Sequence, residues 1–279
     1  MAAKPVVAGA DGSPESMQAV EWAAREAALR GTSLRIVTVP SMPPRMRPNP
    51  ATQDTVAGLI ERGAARALAA AATQAAKDAP DLPIETQLLD GVSPDRALVQ
   101  AGKEALMLVL GSRGAGGFSA LILGSVSRYA ATHAVCPVVV VREETRAAHR
   151  EIVVGVRDLG QSEAALGFAF EEAALRKARL VAVHAWSRIP FGGHDQPPDE
   201  EERALDALLG GWRDKYPDVD ARAELMHAHP GKVLAGASAR ADLVVLGRHA
   251  PGAHAPGAGS VTNAVLSHAH GPVVSVPGE

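Results

Sequence analysis

The chain is written twice. At an offset of 146 positions, Val7-Ala-Gly9 matches Val153-Val-Gly155 and Glu26-Ala-Ala-Leu-Arg30 is identical to Glu172-Ala-Ala-Leu-Arg176, with Ser16/Ser162 and Val37/Val183 in step. Toward the end of each copy the offset falls to 135, where His133-Ala134 and Pro137-Val-Val139 match His268-Ala269 and Pro272-Val-Val274. A length of 279 residues divided this way makes two domains of ordinary size, each able to bury its own core. The expected domains are 1–142 and 151–279, joined by a charged linker over 143–150 that lacks an apolar pattern.

Each copy alternates strand and helix. In the first, Pro5–Ala10, Leu34–Val39, Pro83–Leu89, Leu106–Leu110 and Pro137–Val141 are short apolar runs of strand length. Between them Pro14–Arg30, Thr52–Asp78, Ser93–Lys103 and Ser125–His133 have helical spacing; Ser13 caps the first, Pro14 opens it and Gly31 stops it. Pro40–Pro50 holds five prolines in eleven residues and is expected as a loop. The second copy repeats the order with strands at Ile152–Val156, Leu180–Ala185, Asp220–Met226, Leu243–Leu246 and Val273–Val276. Its helices are expected at Ser162–Arg176, Glu201–Lys215, Gly231–Arg240 and Val261–His268, with a loop over Ile189–Asp199. Alternation with nearly continuous apolar strands predicts an α/β fold whose parallel sheet is covered on both faces.

The chemistry concentrates in one loop. After the apolar run Leu106–Leu110 come Gly111-Ser-Arg-Gly114, nine residues, and Gly124-Ser125-Val126-Ser127. A strand running through glycines into a helix start is where backbone N–H groups and a helix dipole hold phosphate oxygens, so the loop points to nucleotide binding. Neighbouring Gly116-Gly117 are expected to lend it mobility. Rival phosphate motifs fail on inspection: neither Gly102-Lys103 nor Gly231-Lys232 has the upstream glycine and hydroxyl residue of a P-loop. Gly114-Ala-Gly116-Gly-Phe-Ser119 is only a near miss to the dinucleotide fingerprint.

Composition narrows the remaining classes. A net charge of −3 and 3% aromatic residues offer neither a basic footprint nor stacking rings for nucleic acid. No segment reaches the length of a membrane span and no leader is evident, so a cytoplasmic location without membrane contact is expected. The one cysteine, Cys136, cannot form an intrachain disulfide and reads as a buried thiol. Six of the ten histidines follow residue 226, including His227-Ala-His229 and His268-Ala-His270, which read as exposed strand faces more readily than as metal ligands. No nucleophile elbow, metal-ligand helix motif or nucleophile with an adjacent base stands in the chain.

Val6-Val-Ala-Gly-Ala-Asp11-Gly-Ser13, Trp22-Ala-Ala with Glu26-Ala, Val109-Leu-Gly111 and the Gly-x₂-Gly-x₉-Gly-Ser pattern together resemble the universal stress protein family in its tandem two-domain form. The resemblance implies two doubly wound five-stranded domains of the adenine nucleotide alpha hydrolase-like type, strand order 3-2-1-4-5, usually dimeric through the last strand. It implies ATP as ligand, with Mg²⁺ commonly accompanying the triphosphate, although the loop holds no carboxylate pair for a metal. By matching position, Ala10, Asp11, Val39, Gly111, Arg113, Gly114, Gly124, Ser125, Val126 and Ser127 are the expected nucleotide-binding residues.

Physical roles follow separately. Asp11 is an acceptor for ribose hydroxyls or the adenine amine, or else a turn and helix start; Val39 alone reads as core. Gly111 and Gly114 let backbone approach phosphate, Ser125 and Ser127 add hydroxyl donors, and Arg113 is a countercharge or a solvated loop charge. The second copy departs at these points. Arg157 stands in place of Asp11 with Asp158 beside it, Ala250 replaces the second glycine, and Gly247 to Gly259 is one residue shorter than Gly111 to Gly124, while Ser260 and Thr262 persist. Gly252, Gly257 and Gly259 leave room for a weaker or different anion site, so binding is expected in the first copy and little or none in the second, which reads as structural and pairing partner. The leading function is a nucleotide-dependent stress regulator with an unidentified protein partner, ahead of an interaction scaffold with a vestigial site and of a slow ATPase.

Overall fold

The structure, a computed structural model, describes residues 3–41, 52–91, 93–114, 123–142, 148–157, 162–186, 198–248 and 258–278. The chain divides into two units, Met1–Arg142 and Glu143–Glu279. The first runs β1 (Val6–Gly9), α1 (Pro14–Leu29), β2 (Leu34–Thr38), α2 (Gln53–Asp78), β3 (Ile84–Leu88), α3 (Pro94–Ala101), β4 (Met107–Gly111), α4 (Ser125–His133) and β5 (Val138–Val141). The second runs β6 (Glu151–Gly155), α5 (Glu163–Arg176), β7 (Arg179–Trp186), α6 (Pro198–Lys215), β8 (Ala221–His227), α7 (Pro230–Ala237), β9 (Leu243–Arg248), α8 (Ala258–His268) and β10 (Val273–Pro277).

Within the first unit the strands lie in the order β3-β2-β1-β4-β5, all pairs parallel. Within the second the order is β8-β7-β6-β9-β10, again parallel. Every residue of β1, β4 and β5 is buried, which explains their unbroken apolar sequences: a strand covered by helices on both faces has no side on which to alternate. Strand β3, paired on one side within its unit, is exposed from Glu85 to Leu88.

The identical pentapeptides build the same feature twice. Glu26 and Glu172 are buried at the inner face of α1 and α5, and each is paired with the arginine one turn later, Arg30 and Arg176. Elsewhere the units pack differently. In α1 the residues Ala23, Ala24 and Ala27 are buried, and Glu21 accepts a hydrogen bond from Gln74 of α2 at 2.8 Å. At the position matching Ala24 the second unit has Phe170, stacked on Trp212 and Tyr216 of the segment around α6 at 5.8 and 5.7 Å. Gly167, in the place of Glu21, is bare because a Cβ there would stand 2.8 Å from the Trp212 ring.

Some expectations change. Helix α6 begins at Pro198, inside the stretch expected as loop, because proline suits the first turn of a helix, where its missing N–H costs no hydrogen bond. The last residues of the expected linker are fixed to the second unit: the N–H groups of His149 and Arg150 donate to the Asp242 carboxylate at 2.7 and 2.9 Å. The histidine pairs are not strand faces, since His227 ends β8 and His229 caps α7, while His268 ends α8 and His270 follows it. Residues 42–50, 143–147 and 187–197, which hold most of the expected proline loop, linker and second loop, lie outside the described residues.

Candidate functional site

The register of Ala8 opposite Val109 sets Asp11 level with Ser112 at the carboxyl ends of β1 and β4, where winding reverses and open parallel sheets leave a crevice. Local chemistry shapes the β1 end. Gly12 turns the chain with φ +83°, a conformation costly for a side chain, and Ser13 then caps α1 by accepting from the Ser16 N–H at 3.2 Å. The same Ser13 hydroxyl donates to Asp11 Oδ1 at 2.6 Å, and the Ser13 N–H donates to that oxygen at 3.0 Å. Ser16 completes the network: its hydroxyl donates to the Ser13 carbonyl at 2.9 Å and accepts from the Asp11 N–H at 3.3 Å. Asp11 is thus a turn acceptor whose residue stays exposed.

Across the crevice, each motif glycine meets protein atoms. A Cβ on Gly111 would stand 2.6 and 2.7 Å from the Glu15 carbonyl carbon and oxygen, so a bare Cα is what lets the first turn of α1 rest on β4. On Gly114 it would stand 2.5 Å from Asp11 Oδ2, which brings the loop against the carboxylate. On Gly124 it would lie 3.3 Å from the Ser112 carbonyl, which accepts the Gly124 N–H at 2.7 Å. The neighbours of these glycines are α1 for Gly111, Asp11 for Gly114 and the Ser112 carbonyl for Gly124.

The start of α4 follows the loop. Gly124 is its N-cap and has no side chain to cap with, so the N–H groups of Ser125, Val126 and Ser127 lack intrahelical partners and carry the positive end of the dipole. Ser125 is exposed and Val126 half-buried. Ser127 is buried and its hydroxyl donates to the Gly111 carbonyl at 2.6 Å, tying α4 to the end of β4. Arg113 is also repositioned, since its guanidinium is neither solitary nor wholly solvated but pairs with Glu15 at 2.9 Å. Glu15 was not singled out by the sequence; its signal was its place in the first turn of α1. On the β2 side, Ala10 is buried with its N–H donating to the Val37 carbonyl at 2.8 Å, and Val39 is half-buried. Gly116, Gly117 and the rest of 115–122 lie outside the described residues.

The second unit inverts the charge. Its register, Gly155 opposite Leu246, sets Arg157 level with Arg248 where the first unit has Asp11 and Ser112. Gly247 is exposed, and among the described residues a Cβ there would meet Ala165 Cβ alone, at 3.4 Å, in place of the tight helix contact of Gly111. The ring of His184 donates from Nδ1 to the Val156 carbonyl at 2.8 Å. Asp158, His249, Ala250 and His254 lie outside the described residues; the side chain of Ser260 does too, while Thr262 is half-buried. Among the described residues no group of His, Cys, Asp and Glu is placed to hold a metal, and no helix is long and apolar enough to cross a membrane.

Two tandem parallel-sheet units, each with helices between its strands, define a doubly wound α/β protein. The chain belongs to the universal stress protein family, whose sequence profile matches it twice, over residues 2–142 and 149–277. It is 35% identical over 288 residues to a universal stress protein of Mycobacterium tuberculosis, covering 96% of this chain and 95% of that one. A universal stress protein of Mycolicibacterium smegmatis is 34% identical over 283 residues, covering 97% and 96%. Among solved structures, a universal stress protein from Archaeoglobus fulgidus superposes with a TM-score of 0.74 at 17% identity, over 99% of this chain and 96% of that one, which shows the shared fold.

Proposed function

We propose that the first unit binds an adenine nucleotide, ATP foremost, and that the protein is a nucleotide-dependent regulator in stress response or dormancy. The observation that carries this reading is the convergence of Asp11 and Gly114 beside the uncapped start of α4: an acceptor for hydroxyls and open N–H donors for an anion share one crevice. The residues fit the group. The N–H groups of Ser125, Val126 and Ser127 would take phosphate oxygens, Asp11 the ribose hydroxyls, and the backbone at Ala10 and Val39 the base. Any Mg²⁺ would arrive with the triphosphate. The second unit, with Arg157 for Asp11, would not bind adenine nucleotide and would serve as structural partner, and a cytoplasmic homodimer acting on a protein partner completes the proposal.

Titration of ATP by calorimetry into the wild type and Gly114→Val tests it. A side chain at 114 displaces the Asp11 carboxylate, so affinity should fall at least about tenfold. Unchanged affinity in a folded variant would overturn the assignment of the site. A second reading, an interaction scaffold, draws on the finding that Gly111, Gly114 and Gly124 each meet a packing need, so that packing alone accounts for the motif. A Gly114→Val protein that loses nucleotide yet supports an unaltered cellular phenotype would favour it.

A further inference from the structure

We propose that Glu15 sets the specificity of the nucleotide site, by holding Arg113 in an ion pair that a ligand breaks only by offering phosphate charge. The inference rests on the nucleotide reading and deepens it. Arg113 lies between Gly111 and Gly114, and its Nη2 stands 2.9 Å from Glu15 Oε1. The pair is reachable by water, with side chains 44% and 23% exposed, so it is held weakly and a polyphosphate can compete for the guanidinium. Its position is fixed, because the backbone of Glu15 is the part of α1 seated on Gly111. A ligand without phosphate has nothing to gain from Arg113 and leaves the pair intact. One carrying phosphate gains the arginine but must displace a carboxylate first, and Glu15 thereby raises the charge a ligand needs.

The two copies agree with this coupling. At the matching positions the second copy has Gln161 for Glu15 and His249 for Arg113, so both members of the pair change together where the switch-point carboxylate is also gone.

The test is calorimetric titration of adenosine and of ATP into the full chain as wild type, Glu15→Gln, Arg113→Gln and the double variant. Glutamine keeps the shape of Glu15, and the fitted number of sites reports the folded fraction. Glu15→Gln should tighten ATP about threefold to fivefold and leave adenosine unchanged, and the gain should vanish in the Arg113→Gln background. An equal gain for adenosine, an equal gain without Arg113, or no gain would each overturn the inference. A wild type that binds neither ligand defeats the nucleotide reading itself, whereas a wild type that binds ATP with no response to Glu15→Gln defeats this inference alone.

Discussion

Gly111 and Gly247 occupy the same place in the two copies but answer to different neighbours, and their substitution separates packing from ligand binding. Gly111→Ala drives a methyl into the backbone of Glu15 and Ser16, atoms that cannot rotate away, and should cost about 1–3 kcal/mol. Gly247→Ala meets an ordinary contact at an exposed position and should stay within about 0.5 kcal/mol. Urea denaturation of the two variants checks both, and equal losses would contradict the account. At this scale the sequence announced which residues belong together, since Asp11 and the glycine motif do meet. It did not announce why. The contacts that require Gly111 and Gly114 come from α1 and from Asp11, partners fixed by the fold and distant along the chain, and that of Gly124 from Ser112 at the other end of the same loop. Glu15 went unread for the same reason, because its partner Arg113 is far off in sequence and arrives only when β1 and β4 pair.

Helices α1 and α5 owe their strongest sequence likeness to a buried charge. Arg30→Met leaves Glu26 desolvated without its arginine and should destabilise the protein by about 3 kcal/mol, with Glu26→Leu/Arg30→Met recovering most of the loss. Chemical denaturation of the single and double variants reads this out; a double variant as unstable as the single would contradict it. Helix α3 carries a pH-dependent start. The Ser93 hydroxyl, bonded to Asp95 in its first turn, holds the Asp95 carboxyl below its ordinary value of 3.8. A lowered folded-state pKa stabilises above the unfolded value and is lost as pH falls through the folded one. Asp95→Asn should therefore lower Tm at neutral pH, and the difference from wild type should close as pH drops below the range of ordinary carboxylates. Helix and strand identities were legible from apolar runs and caps, and the ends moved by a few residues where capping rather than periodicity decides. The start of α6 shows this: a proline-rich approach reads as loop until the proline is seen to sit in a helical first turn.

For the molecule as a whole, the repeat gives two units of one fold whose described residues differ at the carboxyl ends of the central strands. The matched registers carry the contrast, with Asp11 level with Ser112 in one unit and Arg157 level with Arg248 in the other. That contrast was visible in the aligned copies, whereas the replacement of small-residue packing around Ala24 by the Phe170, Trp212 and Tyr216 stack was not, because Trp212 and Tyr216 come from a distant segment. The central claim is that one unit binds adenine nucleotide and the other does not. The number of ATP molecules bound per chain at saturation, measured by equilibrium dialysis on the two-unit chain, is the decisive measurement. About one per chain is expected. Two per chain would contradict the reading of Arg157, and none would contradict the nucleotide site altogether.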